Sequence, residues 1–464
     1  MELLIPLDLK AKTALYEQIY AYIRREIRNG SLKAEERLPS TRVLAENLKV
    51  SRSTTQMAYD QLLAEGYLVS RPYRGYFVSR IEELVEGGQP GEPEMATSEP
   101  KGPDCRIDFS PRGIDLDSFP YNIWRKLSRN TLVDDNKEMF HSGNHQGEPG
   151  LREVIRSYLH SARGVNCSAE QIIVGAGSEY LLMLLAQILG GDLKIAMENP
   201  TYKQAYRVFC SLGYSVTPVE MDGKGMDPVL LQKSGADVAY VMPSHQFPTG
   251  VVMTVGRRQE LLKWASGGAR YLIEDDYDSE FRYRGKPIPA LQGMDRQGKV
   301  IYLGTFSKCI APAIRVSYLV LPPELLKSYR RNAGFYASTV SRIDQNILYQ
   351  FLSQGHFERH LNRMRAIYKA KHDVLLEELA PLAQEFQIGG EYAGIHMLLT
   401  GKKNQSESEL MEKALAAGVR VYGLSSYFIH PEHNHRPATM VLGYASLREE
   451  EIREGIRLLV SCWK

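Results

Sequence analysis

One segment near the N-terminus divides this chain into two parts. Residues 82–106 are rich in Gly, Pro and Glu and contain no aromatic residue. Such a segment buries too little apolar surface to offset the entropy lost on ordering, so it predicts a flexible linker. We therefore expect a small domain over residues 1–81 and a large domain over residues 107–464, with a smaller C-terminal subdomain from about residue 355.

Charge and cysteine use narrow the class of protein. Residues 1–80 hold 13 Lys and Arg against 9 Asp and Glu, a net charge of +4 within a chain whose total is +2. The excess suggests a polyanionic partner, although a solvated basic surface explains it equally well. The five cysteines are scattered, with no C-x-x-C pair, and the longest apolar run, residues 180–189, is too short to cross a bilayer. We expect a cytoplasmic protein with no membrane partner.

The small domain has the pattern of three helices and a hairpin. Apolar residues recur at four-residue spacing from Leu15 to Ile27, and Asn29-Gly30 follows them. Ser40 and Ser51 are suited to cap two further helices, the second ending near Gly66. Two short β-like runs, residues 67–70 and 76–79, complete a winged helix-turn-helix.

A helix-turn-helix inserts the start of its second helix, here the third helix of the domain, into the major groove of double-stranded DNA. Arg52 is placed to contact guanine, and the hydroxyls of Ser51 and Thr54 to contact phosphates or base edges. Arg42, on the preceding helix, is suited to phosphate. Arg74 and the Gly75 turn form a wing tip for the minor groove. A capped, exposed polar helix without a partner is the alternative, and the basic wing beside the helices argues against it.

The large domain alternates helical patterns with short apolar runs. The runs 171–177, 193–198, 236–243, 269–277 and 299–308 predict buried parallel strands. Their alternation with helices predicts a doubly wound α/β domain.

Residues at the ends of these runs have the chemistry that pyridoxal 5'-phosphate (PLP) requires. An aldehyde cofactor needs an amine, and Lys308 follows an apolar run in G-T-F-S-K. A carboxylate such as Asp275 keeps a pyridine nitrogen protonated. Tyr277 would donate to the phenolate oxygen of the cofactor, and Tyr202 could lie against its ring.

The phosphate of PLP needs backbone N–H groups and cations. Gly177, Ser178 and Glu179 stand where a Gly turn opens a helix, which creates an anion site. Thr305 and Arg315 flank Lys308 and add a hydroxyl and a guanidinium. Each feature alone is more often a surface lysine, a plain turn or an ion-pair partner. Their joint order predicts a cofactor site.

Longer motifs carry a resemblance to known families. Residues 13–80 resemble the GntR family of winged-helix regulators, through L-P-S-T-R-V-L-A-E-N-L-K-V-S-R-S-T and R-P-Y-R-G-Y-F-V. Residues 107–464 resemble fold-type-I PLP enzymes of the aspartate aminotransferase superfamily. The combination, with P-S-H-Q-F-P-T-G, I-E-D-D-Y-D-S-E-F-R-Y and G-T-F-S-K-C-I-A-P-A-I-R-V-S-Y-L, resembles the MocR subfamily of regulators.

The resemblance implies an α+β winged helix-turn-helix followed by an α/β fold-type-I domain with a smaller C-terminal α+β subdomain, in a homodimer. It implies Lys308 as the Schiff-base lysine, Asp275 as the pyridinium partner and Tyr277 as the phenolate donor. For the phosphate it implies Ser178, Thr305 and Arg315, and for DNA contact it implies Arg42, Ser51, Arg52, Thr54 and Gly75.

The chain also departs from the aminotransferase pattern. Phe247 replaces the Asn of N-P-T-G, the last strand has Val441 where an Arg usually binds the substrate carboxylate, and Ser142 stands where a Tyr of the partner subunit is common. Arg436 could substitute for the missing Arg. The histidines around it lack partner carboxylates, so we expect no metal.

These departures favour a regulator with no catalytic residue over a working aminotransferase that carries a DNA-binding head, which remains the alternative. A PLP-free domain used only for dimerisation is disfavoured by the complete set of Lys308, Asp275 and Tyr277. Because the carboxylate Arg is missing, the sequence favours PLP itself as the effector, with an amine such as γ-aminobutyrate or D-alanine as the alternative.

Overall fold

The structure is a computed structural model that describes residues 3–80, 105–132, 137–283, 285, 287–390, 393–402, 405–430 and 437–464. The chain divides into two compact units, Met1–Gly102 and Pro103–Lys464. Of the predicted linker, all but residues 105 and 106 lies outside the described residues. No helix of the described part is long and apolar enough to cross a membrane.

The first unit is built from three helices and a two-stranded antiparallel hairpin, as predicted. Its elements are α1 (Leu15–Arg28), α2 (Thr41–Leu48), α3 (Arg52–Ala64), β1 (Leu68–Arg71) and β2 (Gly75–Val78). The Ser40 hydroxyl accepts from the Val43 N–H and the Ser51 hydroxyl accepts from the Thr54 N–H, so both predicted caps are confirmed. The apolar faces of the helices, including the fully buried Ile19 and Ile23, form one core.

Residues 36–38, which the sequence pattern does not predict to be extended, pair with the hairpin and extend it. The Val78 N–H donates to the Glu36 carbonyl and the Leu38 N–H donates to the Tyr76 carbonyl, both at 2.9 Å. Arg37 forms a bridge with Phe77. The segment has no alternating apolar pattern, so only the backbone pairing reveals it.

The second unit is an α/β domain. Its helices are α4 (Tyr121–Thr131), α5 (Pro149–Arg163), α6 (Ser178–Leu189), α7 (Lys203–Ser211), α8 (Pro228–Ser234), α9 (Val255–Ser266), α10 (Pro323–Asn332), α11 (Arg342–Ser353), α12 (His356–Leu379), α13 (Glu407–Ala416) and α14 (Glu449–Trp463). Its strands are β3 (Ile107–Asp108), β4 (Ile172–Gly175), β5 (Lys194–Asn199), β6 (Ser215–Asp222), β7 (Gly225–Met226), β8 (Val238–Val241), β9 (Tyr271–Asp276), β10 (Val300–Thr305), β11 (Ser317–Val320), β12 (Phe386–Gly389), β13 (His396–Gly401), β14 (Val419–Arg420), β15 (Tyr422–Gly423) and β16 (Thr439–Gly443).

The main sheet has the order β4-β11-β10-β9-β8-β5-β6-β7. Strands β10, β9, β8, β5 and β6 pair in parallel, which confirms the predicted fold class. The prediction that β4 is paired in parallel is wrong: among the described residues its partner is β11, which is antiparallel both to it and to β10. Successive residues of β10 face opposite sides, with Leu303 in one apolar cluster and Tyr302 in another, so the core covers both faces of the sheet.

A second sheet, β12-β13-β16-β15, lies in the C-terminal part of this unit. The start of the unit joins this part, because β3 pairs with β14 and Phe109 packs into the same apolar cluster as Leu442. Residues just after the linker therefore belong spatially with residues beyond 355. This close approach of distant segments brings residues 110–112 to the site described next.

Candidate functional site

The carboxyl ends of the parallel strands form one edge of the main sheet, and a cavity of about 290 Å³ opens there. This volume is at the lower limit of small-molecule sites, which span roughly 300–1,000 Å³. Of the nine residues predicted to hold a cofactor, eight line the cavity: Ser178, Glu179, Tyr202, Asp275, Tyr277, Thr305, Lys308 and Arg315. The ninth, Gly177, is the residue before α6. The structure therefore brings the predicted set together.

Lys308 lies three residues beyond the end of β10. Its amine donates a hydrogen bond to the Arg112 carbonyl at 2.8 Å. The pKa of the Lys308 amine is lowered to about 8, because burial lowers it more than the Asp278 charge raises it, and the Arg112 charge adds to the lowering. At neutral to mildly basic pH, a substantial share of the amine is therefore unprotonated, which is the form that attacks an aldehyde.

Asp275, near the end of β9, is a buried carboxylate. Burial raises its pKa to about 7, while a hydrogen bond donated by the Tyr240 hydroxyl lowers it. Among the described residues, no Lys, Arg or His lies within ion-pair distance of Asp275. A protonated pyridine nitrogen is the kind of group that such a carboxylate lacks, so the site fits the ring of PLP.

Tyr277 belongs to a small buried polar group beside the cavity. His245 Nδ1 lies 3.0 Å from both carboxylate oxygens of Asp278 and 3.1 Å from the Tyr277 hydroxyl oxygen. A carboxylate only accepts, so His245 Nδ1 carries the proton and donates to Asp278. Burial raises the pKa of Tyr277 well above its usual range, so its hydroxyl stays protonated and able to donate.

The end of the cavity suited to phosphate lies at the start of α6. Gly177 has φ +93°, a backbone conformation that favours glycine because other residues rarely adopt it, and the Arg315 guanidinium lies against its Cα. The Arg315 guanidinium is engaged with Glu179, at 3.0 Å, which the sequence did not predict. The Thr305 hydroxyl accepts from the Ser307 N–H and the Ser317 hydroxyl. Hydroxyls, a helix N-terminus and a guanidinium suit a phosphate dianion.

Two of the three departures from the aminotransferase pattern, Phe247 and Val441, are apolar and buried, and the third, Ser142, is exposed. Phe247 lines the cavity and packs edge-on against Tyr277 and Tyr427, with ring centroids 5.8 Å and 5.2 Å apart. Val441 is fully buried in β16 within the same apolar cluster. Neither residue can bind a carboxylate or a phenolate through charge. The proposed substitute, Arg436, lies outside the described residues.

Sequence reasoning missed three neighbours of this cavity. Tyr240, which donates to Asp275, is hidden in an apolar strand pattern, and His245 lies in a loop. Arg112 lies about 200 residues before Lys308, and no local pattern connects the two. An S-H motif after a strand end is a weak signal for His245, and the sequence offers none for Tyr240 or Arg112.

In the first unit, three of the predicted DNA-contacting residues, Ser51, Arg52 and Thr54, lie at the start of α3, and Arg42 lies on α2. The Ser51 hydroxyl lies 2.7 Å from the Thr54 hydroxyl and caps α3, while Arg42 pairs with Glu46 at 3.1 Å. Within the described part of this unit, the exposed Arg52 makes no side-chain hydrogen bond or ion pair. Its guanidinium is therefore available to a base edge.

The hairpin presents a second exposed cation. Arg74 is exposed, whereas Arg71 is held by an ion pair with Glu35 and lies over the Phe77 ring. Gly75 has φ +98°, which the tight turn demands. Tyr73 at the tip is fully exposed and has φ +62°, a conformation that side chains rarely adopt.

Comparison with known proteins identifies a family for each of the two units. The family "Aminotransferase class I and II", whose members depend on PLP, matches residues 116–459, and "Bacterial regulatory proteins, gntR family" matches residues 15–78. The multiple substrate aminotransferase of Thermococcus profundus superposes with a TM-score of 0.69 at 27% identity, covering 77% of this chain and 91% of that one.

Several relatives match both units together. The "Uncharacterized HTH-type transcriptional regulator YhdI" of Bacillus subtilis is 41% identical over 98% of this chain and 97% of its own length. The "Probable rhizopine catabolism regulatory protein MocR" of Rhizobium meliloti is 34% identical over 99% of this chain and 96% of its own. The chain therefore belongs to the MocR subfamily of GntR-type transcriptional regulators, in which a helix-turn-helix domain precedes an aminotransferase-like domain.

Proposed function

We propose that this regulator binds PLP covalently through Lys308 and that its affinity for DNA responds to PLP or to an amine that reacts with it. One observation carries the proposal. A single cavity holds an amine of lowered pKa and a buried carboxylate to which the described residues bring no cationic partner, and beside it a helix starts after Gly177, whose φ is positive.

Each predicted residue then has a role toward the cofactor. PLP would supply an aldehyde, and the Lys308 amine would hold the cofactor covalently through it. Asp275 would accept a hydrogen bond from the pyridine nitrogen and keep that nitrogen protonated, and Tyr277 would donate to the phenolate oxygen. Tyr202 covers the ring. The N–H groups at Gly177, Ser178 and Glu179, with the side chains of Ser178, Thr305 and Arg315, hold the phosphate.

The first unit would bind double-stranded operator DNA. Arg52 reads a base edge, while Arg42, Ser51 and Thr54 contact the backbone. Arg74, presented by the Gly75 turn, enters the minor groove. The free guanidinium of Arg52 and the exposed Arg74 support these assignments.

Regulation requires that the effector bind two arrangements of the protein with unequal affinity. Fold-type-I sites form between two subunits and winged helices read paired half-sites, so we propose a cytoplasmic homodimer as the unit that switches. A coupling of about 1–3 kcal/mol changes operator affinity by roughly 5- to 150-fold.

The experiment measures operator affinity for three forms of the full-length protein: PLP-free, PLP-loaded, and PLP-loaded with γ-aminobutyrate or D-alanine. Sensing of PLP predicts a difference between the first two forms. A difference only on adding an amine assigns the amine as effector. Equal affinity in every form, or PLP that borohydride does not fix to Lys308, refutes the proposal.

A second candidate, a working aminotransferase with a DNA-binding head, is favoured by the intact set of Lys308, Asp275 and Tyr277 in the cavity. Phe247 and Val441 oppose it. Steady-state turnover with common amino acids and keto acids separates the two, because a regulator without this activity shows none above the Lys308→Ala background.

A further inference from the structure

The pair formed by His245 and Asp278 lies beside the cofactor cavity, next to Tyr277. Both side chains are buried, His245 after β8 and Asp278 after β9. His245 Nδ1 lies 3.0 Å from each carboxylate oxygen of Asp278. Among the described residues, no Lys or Arg lies within ion-pair distance of Asp278. A buried carboxylate in this position needs the donor that His245 supplies, because an unsatisfied charge in the interior is costly.

The Tyr277 hydroxyl lies between two possible acceptors. On one side is Asp278: burial raises the pKa of Tyr277 most, and the Asp278 charge and a hydrogen bond to Asp278 raise it further. On the other side is the cavity, where the phenolate oxygen of PLP would accept the same proton. A hydroxyl carries one proton, so it serves one of these acceptors at a time.

His245 acts on this choice through a single N–H group. Because a carboxylate only accepts, His245 Nδ1 carries the proton and satisfies Asp278. The same Nδ1 lies 3.1 Å from the Tyr277 hydroxyl oxygen, and a donor on that side turns the hydroxyl proton towards the cavity. Phe247, whose ring lies 5.8 Å from that of Tyr277, offers no donor to a phenolate there. The orientation of the Tyr277 hydroxyl therefore matters more in this chain.

The fold holds the His245 ring closely. Gly394 lies so near that a side-chain carbon at this position would be 2.0 Å from His245 Cε1. His245 and Arg282 both line a small cavity of about 10 Å³, at the lower limit for one water molecule. His245 Nε2 and Arg282 Nε are buried there without a hydrogen-bond partner in the described part of the chain. Arg282 Nε is a donor, so a bridging water would leave Nε2 as the acceptor and the proton on Nδ1.

The other charged or titratable groups that face the pair leave Asp278 to His245. His396, on β13, has its ring centroid 5.4 Å from that of His245, and burial lowers the pKa of His396 to about 3, so it is neutral. Arg163 pairs with Asp276 at 2.8 Å. Neither these groups nor Arg282 donates a hydrogen bond to Asp278 within the described residues.

We propose that His245 is a positioning residue of the cofactor site: by donating to Asp278, it releases the Tyr277 hydroxyl to donate to the phenolate oxygen of PLP. This rests on the proposed function, because the phenolate belongs to bound PLP. Without His245, Asp278 draws the Tyr277 hydroxyl to itself, and the phenolate keeps its full negative charge. That charge holds more tightly the proton on the nitrogen that joins Lys308 to the cofactor.

The test is a pH titration of the visible absorbance of the full-length, PLP-loaded protein, because the yellow form is the one in which this nitrogen is protonated. His245→Leu should raise the midpoint of the titration by about one pH unit. His245→Asn, whose amide keeps a donor near the position of Nδ1, should retain most of the original midpoint. His372→Leu is the matched control, at a buried histidine on α12 whose Nδ1 lies 3.2 Å from Asp373, and should change nothing.

A double-variant cycle separates positioning from a purely structural role. Tyr277→Phe should raise the midpoint in the same direction as His245→Leu does. Adding His245→Leu to Tyr277→Phe should then shift the midpoint no further, because the hydroxyl through which His245 acts is gone.

Two results would overturn the inference: an unchanged midpoint in His245→Leu, or an equal shift from His245→Leu with and without the Tyr277 hydroxyl. The second result would mean that the ring acts on the cofactor by its own charge or packing. Failure of the proposed function looks different, because the protein then holds no PLP on Lys308 after borohydride treatment. If His245→Leu is poorly folded by circular dichroism, His245→Met replaces it with the same expected shift, because Met adapts to an irregular space.

Discussion

The Lys308 amine donates a hydrogen bond to the main-chain carbonyl of Arg112 at 2.8 Å, across 196 residues of sequence. The bond ties the predicted reactive lysine to the segment that follows β3. Since β3 itself pairs with β14 of the C-terminal part, the position of the amine depends on the packing of both parts of the second unit. The carbonyl accepts from either protonation state of the amine and leaves the nitrogen lone pair free once the amine is neutral.

The lowered pKa of Lys308 predicts how cofactor attachment depends on pH. The neutral amine reacts, so the rate of attachment should rise with pH, reach half its maximum near pH 8, and level off above it. The measurement is the fraction of PLP fixed by borohydride at short times between about pH 6 and pH 10. A rate that keeps rising tenfold per pH unit through pH 9 would mean that the Lys308 amine has the pKa of an exposed lysine and would contradict the prediction.

Tyr240→Phe should weaken PLP binding about tenfold. The Tyr240 hydroxyl stabilises the charged form of Asp275, so its loss raises the pKa of Asp275 above about 7 and leaves less carboxylate to pair with the pyridine nitrogen. Fluorescence titration of the PLP-free protein near neutral pH measures the affinity. Tyr329→Phe, at another buried tyrosine of the same apolar cluster, is the control and should bind PLP normally.

Substitutions of Arg315 and Glu179 should change the affinity for PLP in opposite directions, because both residues lie where its phosphate would bind. Arg315→Gln removes a cation and should lower PLP affinity by about tenfold, whereas Glu179→Gln frees Arg315 from its 3.0 Å ion pair and should raise it. Pyridoxal, which has no phosphate, supplies the comparison: its affinity should change little in either variant. Equal changes for PLP and pyridoxal would place the two residues away from the phosphate.

The exposed arginines of the first unit should differ in their effect on specificity. Arg52→Ala should cost about 1–3 kcal/mol at the operator and less on random DNA, because it removes a base contact. Arg42→Ala should weaken both duplexes similarly, since a phosphate contact carries no sequence information. Gel-shift titrations on the two duplexes at matched salt measure the losses, with Arg25→Ala on α1 as the control. Parallel losses for Arg52→Ala would argue against base readout.

Light scattering checks the proposed assembly. The PLP-loaded protein at micromolar concentration should have twice the mass of one chain, because the cofactor site of this fold is built between two subunits. A monomer that retains PLP would contradict the homodimer and the spacing of paired recognition helices that follows from it.

The sequence by itself determined the local features. Ser40 and Ser51 were identifiable as caps because capping needs one side chain and the next few residues. The strand ends that carry Asp275 and Lys308 were identifiable because buried parallel strands are continuously apolar and their polar residues begin where they end. The ends of neighbouring parallel strands meet at one edge, so these residues were expected together. The apolar replacements Phe247 and Val441 were also visible at once.

Only the tertiary structure decided what depends on contact between distant segments. The antiparallel pairing of β4 with β11 follows from how the chain crosses the sheet, and an apolar run looks the same in either direction. Tyr240 lies in a continuously apolar strand pattern, and only the structure shows that its hydroxyl donates to the carboxylate of Asp275 on the neighbouring strand. Arg112 reaches Lys308 because β3 pairs with β14, an arrangement that the packing of the core fixes and that no local spacing encodes.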